Sequence, residues 1–246
     1  MKRILILHGW MHSSERYRHL KKILEMHQYN VTLYEFPGFG ETPATHKTNI
    51  LKNYTIDLIN YLNRTEFDCI IAHSMGGNII LKSWSFLKKA PTTLILLSPE
   101  YGGILFLRPF IILFPLIFSG MYLLKLKCRL TNFIIKCLSL FTINHWNYID
   151  QIILEDVRRA NPWISSILIF EMAYDNWRYR NSPSLFQQIY LFSGEHDRII
   201  SKSSAKKLKK DIPNCKQKII PKIGHTIVLE AFDTLVKEID LICGED

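Results

Sequence analysis

No C-x-x-C pair and no close grouping of cysteine with histidine occurs in the chain. Its five cysteines, Cys69, Cys128, Cys137, Cys215 and Cys243, are widely spaced and odd in number. That argues against a zinc site and against a disulfide framework. A reducing, cytoplasmic setting without a metal is the expectation. Acidic residues are missing from a long internal stretch. Between Gly102 and Ile149 there is no Asp or Glu, while Arg108, Lys125, Lys127, Arg129 and Lys136 are present. A clean membrane-length apolar run is missing too. Ile104 to Leu124 comes nearest, but Arg108, Pro109, Pro115 and Gly120 interrupt it, and a spanning helix needs about twenty apolar residues. Prolines break such a run into short helices. An apolar, basic, helical lid is expected, one able to touch a membrane surface as an interfacial helix does. The opening Met1 to Leu7 has too short an apolar run for a secretory signal and ends in His8-Gly9 without a cleavage pattern. No internal repeat or low-complexity tract is seen.

What is present fits a globular domain. The chain has 246 residues, 48% hydrophobic and 22% charged, suited to one α/β domain or one with an insertion. The formal net charge is +9. The lysines are scattered rather than arrayed on a nucleic-acid motif, so a basic surface is expected and no nucleic-acid partner.

Lys2 to Leu7 is a short apolar run of the kind that forms a parallel strand covered on both faces. Ser13 and Ser14 offer a helix N-cap before Leu20, Ile23 and Leu24 at helical spacing. Asn30 to Phe36 reads as a second strand, followed by the turn-rich Pro37-Gly38-Phe39-Gly40-Glu41-Thr42. Ile50 to Leu62 is helical. Phe67 to Ala72 is a third strand, with a helix from Gly76 to Lys89, and Thr92 to Ser98 is a fourth. From Glu100 to Leu185 no β-alternation appears. It resumes at Gln188 to Phe192, followed by a helix over Lys202 to Leu208, a strand at Lys216 to Ile220 and a helix from Ile227 to Ile242. Strands alternating with helices predict a parallel, doubly wound sheet of six strands. The expected core is 1–99 with 186–246, and 100–185 is a helical insertion.

Phe67 to Asn78, FDCIIAHSMGGN, carries the chemistry. Strand, sharp turn with serine at its tip, then helix is the setting of a nucleophile elbow. Small residues flank such a serine because strand and helix approach closely there. Here they are Ala72 and Gly76, with Gly77 beyond; Ala72 departs from the strict G-x-S-x-G. His73 precedes Ser74 in the same turn. An ordinary Ser-Gly turn has a similar composition.

Three further signals follow strands. His8-Gly9-Trp10 closes the first one. A tight turn there can aim the Trp10 N–H, with the Met75 N–H, at a reacting carbonyl oxygen. Asp197, in Ser193-Gly194-Glu195-His196-Asp197, follows the fifth strand, where open α/β sheets bind ligands. It could orient a histidine or simply cap a helix. Glu100, after the fourth strand, is a second candidate acid. His225, in Ile223-Gly224-His225-Thr226, follows the last strand and could exchange a proton with Ser74. His12, His19, His27, His46 and His145 lack such a setting and read as surface or structural residues.

Ser74, Asp197 and His225 fall in the order Ser, acid, His, each at a strand end. With these motifs the chain resembles the α/β-hydrolase superfamily, in particular its small capped members. HGW stands for the oxyanion turn, FPGFGET for the P-G-x-G loop, AHSMGG for the elbow, GEHD for the acid loop and GHT for the histidine loop. The resemblance covers Ile4 to Ser98 and Ile189 to Ile242. It implies a Ser–His–Asp mechanism through an acyl-enzyme, with no cofactor and no metal, under a helical lid. The two leading strands of many members have no counterpart before the oxyanion turn. Ser74 argues against dehalogenases and epoxide hydrolases, whose nucleophile is an aspartate.

The resulting expectation is a hydrolase of carboxylic esters or thioesters with an apolar acyl group, such as an acyl-lipid or acyl-carrier substrate. A lyase, cyclase or acyltransferase could use the same triad, because fold and triad do not fix the reaction. A ligand-binding member without catalysis is the third reading.

Overall fold

A strand covered on both faces leaves polar side chains no water to bond, and the apolar runs behave accordingly. The structure, a computed structural model, describes residues 1–103, 108, 113–140, 143, 151–178 and 188–244. Its strands are β1 (Arg3–Leu7), β2 (Asn30–Tyr34), β3 (Cys69–His73), β4 (Thr93–Leu97), β5 (Gln188–Gly194) and β6 (Lys216–Ile220). They form one six-stranded sheet in the order β2-β1-β3-β4-β5-β6, parallel at every pairing. The helices are α1 (Arg18–Met26), α2 (Ile50–Leu62), α3 (Met75–Ser83), α4 (Phe114–Leu123), α5 (Arg129–Ser139), α6 (Gln151–Arg159), α7 (Pro162–Tyr174), α8 (Lys202–Asp211), α9 (Ile227–Glu230) and α10 (Phe232–Gly244).

The two-residue period of a strand sorts the core into two layers. Leu5, Leu7, Ile70, Ala72, Leu94, Leu96 and Leu191 face α2, α3, α7 and α8. Ile4, Ile6, Cys69, Ile71, Ile95, Leu97 and Phe192 face α1 and α10. The chain leaves β1 toward one edge, makes β2, and returns to β1's other side as β3. That reversal opens a crevice beyond the C-terminal ends of β1 and β3, where doubly wound sheets bind ligands.

Helices α4 to α7 lie between β4 and β5. The last of them anchors this segment to the core. Ile164, Leu168 and Met172 of α7 are buried in the same cluster as α2 and α3. Glu171 accepts the Ile50 and Leu51 amides at 2.9 and 2.7 Å, supplying from a distance the cap that Asn49 does not give α2. The far part of the segment has its own small cluster of Leu124, Ile135, Ile143, Ile153 and Leu154. The expected boundary at 185/186, Pro109 and His145 lie outside the described residues. No helix among the described residues is long and apolar enough to cross a membrane.

Three local expectations need correction. Ser13 caps no helix: it donates to the buried Asp156 carboxylate, and Ser14 bonds Glu35, so a 3-10 turn over Ser14–Tyr17 precedes α1. The helix after the elbow ends at Ser83 and tightens into a 3-10 turn over Trp84–Phe86. The final helix is two helices, because Ala231 leaves the helical region at φ −134°.

Candidate active site

The site starts from the end of β3. Ser74 stands between β3 and α3 with φ +50° and ψ −114°. A left-handed φ on a residue with a Cβ costs about 1–3 kcal/mol. The fold offsets that cost with backbone bonds. The Ser74 N–H donates to Leu97 O at 2.9 Å, and the Ser74 carbonyl accepts from Gly77, Asn78 and Glu100 N–H at 3.0, 3.3 and 3.1 Å. Gly76 is obligatory: a Cβ there would lie 2.7 Å from the His8 carbonyl oxygen. Ala72 needs no such exception. It is fully buried in register between Leu7 and Leu96, and its methyl packs in the core.

The acid and histidine loops are joined to each other before they reach Ser74. A Cβ on Gly194 would come within 2.0 Å of the Gly224 carbonyl oxygen, so only glycine lets the loops meet. Glu195 and His196 N–H donate to Ile220 O and Ile223 O, both at 2.9 Å. Glu230 of α9 accepts the Gly224 N–H at 2.8 Å. The pairing brings Asp197 Oδ2 to 2.9 Å from His225 Nδ1, and His225 Nε2 to 2.9 Å from Ser74 Oγ. Ser74 is 8% and His225 4% exposed, so little water competes for these bonds.

The electrostatics set the proton positions. Burial raises the Asp197 carboxyl, but the facing His225 and the Ile199 and Ile200 amides on Oδ1 outweigh it and hold the group below its ordinary value. An ionised Asp197 can only accept, so His225 keeps its proton on Nδ1 and Nε2 is free to accept from Ser74. The arrangement can deprotonate an attacking serine hydroxyl.

The turn after β1 abuts the same serine. A Cβ on Gly9 would lie 3.1 Å from Ser74 Cβ and 2.9 Å from His73 Nδ1. Trp10 follows, its indole N–H donating to Ser165 O of α7 at 3.0 Å. Met75 opens α3, and the amides of a helix's first turn have no partner within the helix. Positive helix-end charge therefore gathers at Ser74. His8 is a strut. Its Nδ1–H donates to Gly9 O at 2.8 Å and its Nε2 accepts the Phe36 N–H at 3.0 Å, while burial pushes it down to about 4, so it stays neutral.

His73 ties the elbow to the histidine loop, its Nε2 donating to His225 O at 3.1 Å. Burial and the neighbouring His225 push its ring well below the usual histidine value. His12 stacks on His73 at 5.0 Å and is buried, which makes it structural. His19 stacks on Phe232, and His27 and His46 bond Asp240 and Asp57. Glu100 is not brought to His225. Its carboxyl takes the Gly103 N–H at 2.9 Å and the Asn78 side chain, beside Asp175 and Lys82.

Sequence reasoning passed over Glu35 and Glu230. Glu35 accepts Ser14 N–H and Oγ–H and the Glu41 N–H at 2.8, 2.9 and 3.0 Å, pinning the loop after β2. The only signal was a carboxylate just before Pro37-Gly38. Among the described residues no group of three or more His, Cys, Asp or Glu could hold a metal ion.

A doubly wound sheet with a serine at the elbow after β3 and a histidine after the last strand defines the class. The family model described as alpha/beta hydrolase fold matches residues 2–232, and the chain belongs to that family. No curated protein matches the chain. Among solved structures it is similar to an esterase from Exiguobacterium antarcticum, with 15% identity and a TM-score of 0.79 over 100% of this chain and 92% of that one. It is similar to MenH from S. aureus, with 21% identity and a TM-score of 0.72 over 97% and 91%. A bromoperoxidase from Bacillus anthracis has 16% identity and a TM-score of 0.78 over 99% and 92%.

Proposed function

We propose that the protein is a serine hydrolase that cleaves carboxylic esters or thioesters. One observation carries the reading: the unbroken hydrogen-bond chain from Ser74 Oγ through His225 to Asp197, at 2.9 Å for each link. Ser74 Oγ attacks the acyl carbonyl while His225 Nε2 takes its proton. The carbonyl oxygen becomes an anion, and the Trp10 and Met75 amides hold it. His225 returns the proton to the leaving alcohol or thiol, and the acyl group stays on Ser74. Water, deprotonated by His225, then releases the acid and restores the serine. Asp197 keeps the ring in its working tautomer and stabilises the imidazolium.

The segment between β4 and β5, with helices α4 to α7, acts as a cap over the site, and its aliphatic character favours an apolar acyl group. Esterases among the solved members of the fold are in keeping with this chemistry. The test is turnover of p-nitrophenyl esters and acyl thioesters of rising chain length by wild type, Ser74→Ala and His225→Ala. Both variants should lose turnover, and wild type should prefer the longer chains. Equal turnover by folded Ser74→Ala would overturn the mechanism, and a short-chain preference would overturn the apolar acyl site.

A further inference from the structure

Helix α5 faces the wrong way for a helix packed only against protein. Its inward stripe is Thr131, Ile135 and Ser139, two of them polar. Its outward side carries Leu130, Phe133, Ile134 and Leu138, exposed by 66, 61, 37 and 50%. These positions follow the i, i+3, i+4, i+8 spacing of one helical face. The approach to α5 continues the pattern, with Leu116, Tyr122, Leu123 and Leu126 all more than half exposed. Exposed apolar side chains scattered singly need no explanation, but a run of this kind does.

Cations surround the run. Lys125, Lys127 and Arg129 are exposed at the joint between α4 and α5. Residues 101–149 contain no Asp or Glu at all. Among the described residues, Glu155 of α6 pairs with Lys127 at 3.6 Å and with Arg158 at 3.2 Å.

We propose that the outer face of α4 and α5 docks on an anionic lipid bilayer, lying in its surface without crossing it. Charge complementarity chooses this occupant. Lysine is depleted from protein–protein interfaces, whereas helices that lie in a membrane interface combine a leucine- and aromatic-rich face with a Lys/Arg border. No helix among the described residues is long enough to span. The leucine and phenylalanine side chains enter the boundary between headgroups and acyl chains, and the three cations at the joint meet lipid phosphates. This docking stands on the surface alone and does not depend on the reaction at Ser74.

The experiment is sedimentation of the full chain with phosphatidylcholine vesicles, with and without phosphatidylglycerol, at low and high salt. A solvent-sensitive dye on the exposed Cys128 thiol gives a second readout. Wild type should bind the anionic vesicles at low salt, release at high salt, and show a blue-shifted dye when bound. Each neutralised cation in Lys125→Gln, Lys127→Gln and Arg129→Gln should weaken binding about fivefold. Leu130→Glu with Phe133→Glu should abolish it while the thermal melt of the protein stays unchanged. Three results would overturn the proposal: folded wild type that ignores anionic vesicles, equal binding to neutral vesicles, or cation variants that bind like wild type. Wild type that forms a dimer dispersed by the Leu130/Phe133 variant, without binding vesicles, would assign the face to a second copy instead.

Discussion

Replacing Asp197 by asparagine changes one atom and reverses the logic of the site. Oδ1 of Asp197 accepts the Ile199 and Ile200 amides, each at 2.9 Å, while Oδ2 accepts His225 Nδ1–H at 2.9 Å. An asparagine has one accepting atom to divide between these sides. Two backbone donors outweigh one, so the amide oxygen takes the Oδ1 position and the –NH2 faces His225. A donor now meets a donor. The ring resolves the conflict by moving its proton to Nε2, which then cannot accept from Ser74. The side chain is 5% exposed, so water offers no alternative partner. The same tautomer error in a serine protease triad lowers kcat about 10⁴-fold, or ~5.5 kcal/mol of barrier. The assay is kcat/KM on a soluble p-nitrophenyl ester, with a thermal melt beside it. A loss near four orders of magnitude in a folded Asp197→Asn variant is expected. A loss of less than about tenfold would refute the assignment of Asp197 as the residue that sets the tautomer.

Other changes probe the supports. Gly194→Ala should push the histidine loop away from the acid loop, costing about 1–3 kcal/mol of stability and more than tenfold in turnover; equal turnover in wild type and variant would contradict that account. Glu171→Ala strips the Ile50 and Leu51 amides of their acceptor and should cost about 1–2 kcal/mol in urea unfolding. Burial, aided by Asp175, pushes the Glu100 carboxyl up to about 8. The folded state therefore holds a proton that the unfolded chain has lost above its own value of about 4.3. Stability from this group falls as pH rises between those values and levels off above the folded one, by at most about 1.4 kcal/mol per pH unit. Glu100→Gln should flatten that slope between about pH 5 and pH 8, and parallel wild-type and variant profiles would show that Glu100 is not its source.

The inner strands β1, β3 and β4 were readable because each is a short apolar run between polar turns, buried on both faces; the edge strand β6, Lys216–Ile220, is mostly exposed and mixes lysine with isoleucine. Ser74, Asp197 and His225 could be picked out because each lies just past the C-terminal end of a strand. Their meeting within 2.9 Å could not, since it depends on Gly194 admitting the Gly224 carbonyl thirty residues on. Glu171 capping α2 from 121 positions away leaves no local trace. Glu100 resembled a candidate acid by position alone; only the fold reveals that it is held by Asn78 and Gly103. Ala72 looked like a weakness in the elbow and is simply a core methyl. The break at Ala231 escaped because Ile227 to Ile242 keeps its apolar spacing through the kink.

The central claim is that Ser74 is a nucleophile activated by His225. Reaction of the folded protein with a fluorophosphonate, followed by peptide mass spectrometry, tests it most directly. The account predicts one modified residue, Ser74, with labelling slowed at least a hundredfold in His225→Ala and abolished in Ser74→Ala. Folded wild-type protein that takes up no label at Ser74, or that labels equally fast without His225, would contradict it.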